Sequence, residues 1–289
     1  MSTTVELTSA DLLHPDWQAP AKVRAIVTTR NGGVSAPPFG RWQAGSEGDA
    51  DGEGRDLPDG LNLGRLSGDE LDDVEANRAR LLAYAGVPAA WLKQVHGAGV
   101  VEAGAALAAA RAGEPLAADA SVTDRPGIAC TVMVADCMPV LLCDDAGRAV
   151  GAAHAGWRGL AAGVIERTAA RVAALAACAT QDLHAYLGPA IGPAAFEVGA
   201  DVRDAFMNHA AHVGEAQREA TAAAFVARPE AAGKYLADLG ALARLRLAAL
   251  GVTRISGGDQ CTYTQREQFY SYRRDHVTGR MAALVWLES

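Results

Sequence analysis

Aromatic residues are scarce in this 289-residue chain, at 6%, although half of its residues are apolar. Much of the apolar count is therefore alanine, which favours helices over bulky core strands. Excess positive charge is also missing. Lys and Arg number 26 against 34 Asp and Glu, a net charge of −8, which argues against a protein that grips nucleic acid or anionic lipid by bulk electrostatics. No stretch reaches the ~18 uninterrupted apolar residues of a membrane span, and Met1 to Trp17 has neither a basic start nor an apolar core. The expectation is a cytoplasmic protein. Metal-binding residues are few as well: seven histidines and five cysteines. The type 1 and trinuclear sites of a multicopper oxidase draw on about ten histidines, so that chemistry is excluded. The cysteines, at 130, 137, 143, 178 and 261, are odd in number and lack CxxC spacing, which excludes a disulfide framework or a zinc ribbon.

What is present reads as mixed strands and helices. Val23 to Thr29 is a β-prone run that ends in the turn Arg30-Asn31-Gly32-Gly33. Residues 40 to 58 carry five glycines and five acids and read as a mobile surface loop. Spacing predicts an amphipathic helix from Glu70 to Ala85, stopped by Gly86 and Pro88, and an alanine-rich helical stretch up to about Ala117. Strands are expected at Ile128 to Val134, Met138 to Cys143, Arg148 to His154, Leu183 to Leu187 and Met281 to Leu287. Helices are expected at Gly156 to Cys178, Val198 to Phe206 and Lys234 to Leu250. Without a strict βαβ repeat the fold class is α+β, a mixed-sheet layered arrangement in one domain over 1–289.

Two runs of residues carry chemistry. Cys137 follows Asp136, and His154 opens His154-Ala155-Gly156-Trp157-Arg158-Gly159, with the turn Asp144-Asp145-Ala146-Gly147 between them. If that turn is centred between Asp145 and Ala146, Cys137 and His154 face each other directly, with Cβ atoms ~4.5–5.5 Å apart. A left-handed Gly147 in a three-residue turn would instead split them onto opposite faces. A third ligand is wanted, and His96 in Gln94-Val95-His96-Gly97 is the best candidate, because His14 lies in the N-terminal arm and His209 and His212 in a polar stretch. A His2Cys set with an open fourth position is the pattern of a catalytic zinc, whose bound water is acidified, although copper also fits.

The stretches Thr28-Thr29-Arg30-Asn31-Gly32-Gly33-Val34-Ser35, Leu61-Asn62-Leu63-Gly64, Gln94-Val95-His96-Gly97, Ala135-Asp136-Cys137 and 154–159 resemble the YfiH/YlmD/LACC family. So do Cys261-Thr262-Tyr263, Phe269-Tyr270-Ser271-Tyr272-Arg273-Arg274-Asp275 and Thr278-Gly279-Arg280. The resemblance runs from about residue 22 to 288, in the family's order; the acidic segment at 40–58 departs from it. It implies an α/β/β/α layered sandwich and a zinc site on His96, Cys137 and His154. It also implies phosphorolysis of the purine nucleosides adenosine, inosine, guanosine and methylthioadenosine, with an adenosine deaminase side activity. Other family labels are polyphenol oxidase, or laccase, and peptidoglycan editing.

Around that set, Asp136 is a candidate to orient a ligand or to act as acid and base. Arg158, beside a helix start, and Arg30, beside a double-glycine turn, are candidates to hold phosphate, as is Arg273 or Arg274. Asn62 is a candidate ribose contact, and Tyr270 and Tyr272 are candidate stacking faces. The zinc-deaminase pairing of a ligand histidine with a glutamate two residues on is absent, because His96 is followed by Gly97 and Ala98. Two other readings compete: a cysteine hydrolase with Cys137 as nucleophile and His154 as base, and a non-catalytic metal-binding or redox protein.

Overall fold

A computed structural model describes residues 6–45, 54–210 and 214–289. Two mixed sheets lie face to face. The first has five strands in the order Leu12–Leu13, Val23–Thr28, Met281–Leu287, Ala129–Val134 and Ala89–Ala90. The second has six: Arg254–Gly257, Leu183–Leu187, Met138–Asp144, Val150–Ala155, Ala120–Thr123 and Val100–Glu102. Every residue of Met138–Asp144 and of Met281–Leu287 is buried, as expected of central strands covered on both faces.

Alternation along those strands sorts side chains between three apolar layers. Leu141, Cys143, Val150 and Ala152 face Val27, Cys130, Val132, Ala283 and Val285 in the layer between the sheets. Their neighbours Val140, Leu142 and Ala153 turn outward onto Ile165, Ala169 and Val172 of the helix Val164–Ala176. On the far side, Ala282 and Leu284 pack with Leu61, Leu63 and Leu81, the last from the helix Leu71–Ala85. The order of layers is helix, sheet, sheet, helix, the α/β/β/α arrangement that the motifs imply.

Several elements differ from expectation. The span 156–178 is two helices, Trp157–Ala161 and Val164–Ala176, because Gly163 adopts φ +87° and breaks the ladder between them. The span 234–250 opens as the strand Lys234–Ala237 and becomes the helix Leu239–Ala249 only after Asp238 caps it, its Oδ1 accepting from the Ala241 N–H at 2.8 Å. Glu197–Gly199 is a strand, and the helix after it runs Ala200–Ala210. The alanine-rich stretch is helical at Ala103–Arg111. Within the expected loop at 40–58, Arg41–Gln43 pairs with Arg55–Leu57 as an antiparallel ribbon, while 46–53 lie outside the described residues.

The hairpin that brings Cys137 towards His154 has a different register from the one expected. Pro139 pairs with His154 and Cys143 with Val150, around a wider loop in which Gly147 takes φ +60°. Cys137 stands just before the strand. A slip of two residues keeps side-chain parity, so Cys137 and His154 still reach the same site.

Candidate metal centre and its cleft

His96 sits in the turn after Gln94, with φ +59°, and is held from two directions. The Gln94 side chain mimics a neighbouring strand: its Nε2 donates to the Met133 carbonyl at 2.8 Å and its Oε1 accepts from the Met133 N–H at 2.7 Å. The buried carboxylate of Asp119 accepts from the N–H groups of Val95 (3.2 Å), His96 (2.8 Å) and Gly97 (2.7 Å). The same carboxylate meets Nδ1 of His154 at 2.9 Å. His154 lies on the buried strand Val150–Ala155, and that bond keeps a proton on Nδ1, so Nε2 is the nitrogen that a metal would take, displacing its proton. Cys137 is presented by a tight turn in which Asp136 takes φ +92°.

The ligand atoms of His96, Cys137 and His154 all lie within 4.8 Å of one another. Burial pushes the Cys137 thiol up, but the His154 charge and hydrogen bonds from His154 and His96 outweigh it and hold the thiol down at about 6. For His154, burial disfavours the charged ring, yet Cys137 and Asp119 together carry it up to about 9. Burial likewise opposes ionisation of Asp119, but the bonds from His154 and from the Gly97 and His96 amides hold its carboxyl below the usual range. A thiolate, an imidazole fixed by a carboxylate and a second imidazole form a donor set that fits zinc, bound at ~2.0–2.3 Å from each ligand. Gly156 makes room for the Cys137 sulfur, since a Cβ there would stand 2.6 Å from Sγ.

Among the described residues the other histidines do not join the cluster. His184 is bonded to Asp145, His14 lies against Tyr84, and His276 meets Tyr272 edge to face. His209 is exposed, and His212 lies outside the described residues.

The cluster opens into a cleft of about 1270 Å³ that Asp136, Arg158, Arg273, Arg280 and Tyr272 also line. Arg158 is exposed, with its guanidinium over the Trp157 ring at 4.5 Å. Arg273 donates from Nη1 to the Glu197 carbonyl at 2.8 Å and lies 5.5 Å over the Phe196 ring. Asp136 accepts the Thr262 hydroxyl at 2.6 Å and the Arg273 N–H at 2.7 Å, so it ties the Arg273 backbone to the ligand turn. Tyr272 is exposed in the cleft, whereas Tyr270 is core, its hydroxyl donating to the Phe39 carbonyl. Arg274 is spent on the carbonyls of Thr262, Tyr263 and Phe269 and on Asp275.

Two expected site residues lie elsewhere. Arg30 is 1% exposed and does not line the cleft; it bonds the Gly40 and Arg266 carbonyls and Asp56, fastening the 40s segment to the tail. With four of its five N–H donors engaged there, it does not serve a phosphate in the cleft. Asn62 is fully buried and cannot reach a ribose: Oδ1 accepts from Gly64 and Arg280, and Nδ2 donates to Ser67 and Asp69. Asp119 is the residue that sequence reasoning missed. Its one signal is a lone acid in the small apolar run Leu116-Ala117-Ala118-Asp119-Ala120 before a strand.

Relatives agree with this architecture. The chain is 47% identical over 281 residues to purine nucleoside phosphorylase YfiH of Escherichia coli, covering 96% of this chain and 98% of that one. It is 49% identical over 278 residues to purine nucleoside phosphorylase PA4543 of Pseudomonas aeruginosa, again over 96% and 98%. The crystal structure of Neisseria meningitidis protein NMB0706 matches with a TM-score of 0.80 and 45% identity, over 96% of this chain and all of that one. A family model described as multi-copper polyphenol oxidoreductase laccase matches residues 24–288, and the chain belongs to that family, the one its YfiH-like motifs point to.

Proposed function

We propose that the protein is a zinc-dependent purine nucleoside phosphorylase of the cytoplasm, acting on adenosine, inosine, guanosine and methylthioadenosine, with adenosine deamination as a side activity. One observation carries the reading: the His96, Cys137 and His154 cluster shares its cleft with the cations Arg158 and Arg273 and the exposed ring of Tyr272. The names of the relatives, which match nearly the whole chain, support the same chemistry.

In phosphorolysis a phosphate oxygen forms a bond to the ribose anomeric carbon as the bond from that carbon to purine N9 breaks. The electron pair leaves with the base, a proton neutralises it, and the products are ribose 1-phosphate and free purine. Arg158 and Arg273 hold the phosphate in line, and Tyr272 offers a face on which the purine stacks. Asp136 fixes the Arg273 backbone, so its role is to position that cation. His96, Cys137 and His154 hold the metal, which when bound supplies Lewis acidity beside the reacting groups. The deamination reading stays with the same cleft, where the described carboxylates are Asp136 and Glu75, the latter paired with Arg65.

The test incubates zinc-loaded protein with adenosine, with and without phosphate, and follows adenine, inosine, hypoxanthine and ribose 1-phosphate. Adenine and ribose 1-phosphate that appear only with phosphate support phosphorolysis; inosine in either case reports deamination. No product under both conditions removes the nucleoside reading.

A second reading gains from Asp119. Cys137, His154 and Asp119 stand in the order nucleophile, base and orienting carboxylate, the arrangement of a cysteine hydrolase. Metal content separates the two: zinc near one per chain that is lost in Cys137→Ala favours the first, and a metal-free protein readily alkylated at Cys137 favours the second.

A further inference from the structure

Arg280 precedes the closing strand Met281–Leu287 and lines the cleft beside Cys137 and Asp136. The fold fixes it at three points. Its N–H donates to Asn62 Oδ1 at 2.8 Å, and its stem lies on Gly64, where an added Cβ would stand 2.7 Å from Arg280 Cγ. At the head, Nη1 donates to the carbonyls of Thr278 and Gly279, each at 3.0 Å. Nε and Nη2 have no hydrogen-bond partner among the described residues, although the side chain is half-buried. Burial lowers the pKa of this guanidinium, opposed by the charges of Cys137, Asp136 and Tyr272.

The unused donors of this half-buried fork are accessible from the cleft, so a ligand that enters it can take them and offset the cost of holding the cation partly out of water. Of the anionic groups that face it, Asp136 already accepts from Thr262 and Arg273, and Cys137 belongs to the metal cluster. The Arg158 side chain has no hydrogen-bond partner among the described residues, and Arg273 is anchored through Nη1 alone on its side chain. Three guanidinium groups with free N–H donors thus line one cleft of a chain whose net charge is −8.

We infer that Arg280, with Arg158 and Arg273, forms the binding subsite for inorganic phosphate beside Cys137, and that Asn62 is the positioning residue that aims Arg280 into it. The ligand is a tetrahedral oxyanion, which suits the planar two-donor edge that Arg280 keeps free. The inference rests on the phosphorolysis reading for what phosphate does there, and on the arginines alone for its binding.

Calorimetric titration of the zinc-loaded full chain with inorganic phosphate tests it, in the native protein and in Arg280→Met, Arg280→Lys and Asn62→Ala. Arg280→Met is expected to weaken phosphate binding at least about tenfold with zinc content unchanged, and Arg280→Lys, which keeps the charge but not the fork, by less. Asn62→Ala removes the acceptor for the Arg280 N–H, so it is expected to raise the KM for phosphate while leaving that for adenosine in place. Unaltered phosphate affinity in Arg280→Met, or no phosphate binding to the native protein, overturns the inference. If phosphate binds and the binding is lost in Arg280→Met, yet no ribose 1-phosphate forms, the subsite stands and the proposed reaction falls. If the native protein phosphorolyses adenosine and Arg280→Met retains the native KM for phosphate, the reaction stands and the subsite falls.

Discussion

Asp119 holds both histidines of the cluster with one carboxylate, and its four donors come from segments about 22 to 35 positions away. Asp119→Asn removes the negative charge that fixes the His154 tautomer and turns an amide NH₂ towards backbone N–H groups. Metal affinity is then expected to fall about 10- to 100-fold, read by competition with a chromogenic chelator. Cys137 gives a second check at this scale. In metal-stripped protein its alkylation by iodoacetamide follows the thiolate fraction, so the rate is expected to rise through a pH of about 6. In His154→Ala the lowering charge and hydrogen bond are gone while burial remains, so the inflection moves up. An unchanged inflection would show that His154 does not set the thiol's acidity. The three candidate ligands were legible because Cys137 and His154 flank a recognisable turn and His96 sits in a distinctive motif. Asp119 was not, because it acts through bonds to residues remote in sequence that no local spacing records; Asn62 was legible as a motif residue but not in its role, because its bond to the Arg280 N–H spans 218 positions.

At the scale of elements, legibility follows the strength of the local signal. Met138–Asp144 and Met281–Leu287 are continuous apolar runs and read directly as buried strands. Leu71–Ala85 ends at Gly86 with φ +69°, the left-handed stop that glycine supplies. The failures fall where alanine dominates. In 156–178 the break falls at Gly163, a glycine among helix formers whose left-handed φ stops one helix and starts the next; isolated glycines are often carried within a helix, so the residue alone did not mark the break. In 234–250 a strand is drawn from helix-prone sequence by pairing with Glu197–Gly199 and Phe225–Ala227, tertiary context overriding weak propensity. Asp238 marks that changeover, and Asp238→Ala is expected to cost about 1 kcal/mol in urea unfolding through loss of the cap. A midpoint within error of the native protein would mean that the strand, rather than the cap, sets where the helix begins.

For the molecule as a whole, charge and site pull in opposite directions. About ten histidines serve a multicopper mechanism, while two of the seven here reach the cluster; the family description therefore fits this chain's ancestry better than its chemistry. The fold gathers cations instead. Arg158, Arg273 and Arg280 come from a helix start, a short helix near the C-terminus and the entry to the last strand, and the layered sheets bring them to one cleft. An anion approaching a surface of net charge −8 is repelled at long range and attracted only within the cleft. Added salt screens both effects, but over a Debye length of ~8–10 Å near physiological ionic strength the diffuse repulsion is screened along with the exposed part of the attraction. Arg158 and Arg273 are exposed and Arg280 is half-buried, so the attraction from the first two weakens with salt and that from Arg280 persists. Raising sodium chloride at constant pH is therefore expected to raise the KM for phosphate modestly and leave that for adenosine, a neutral ligand, unchanged. In Arg280→Lys, where the remaining attraction is exposed, the same titration is expected to be steeper. Equal salt dependence for both substrates would show that the arginines of the cleft do not discriminate the anion from the nucleoside.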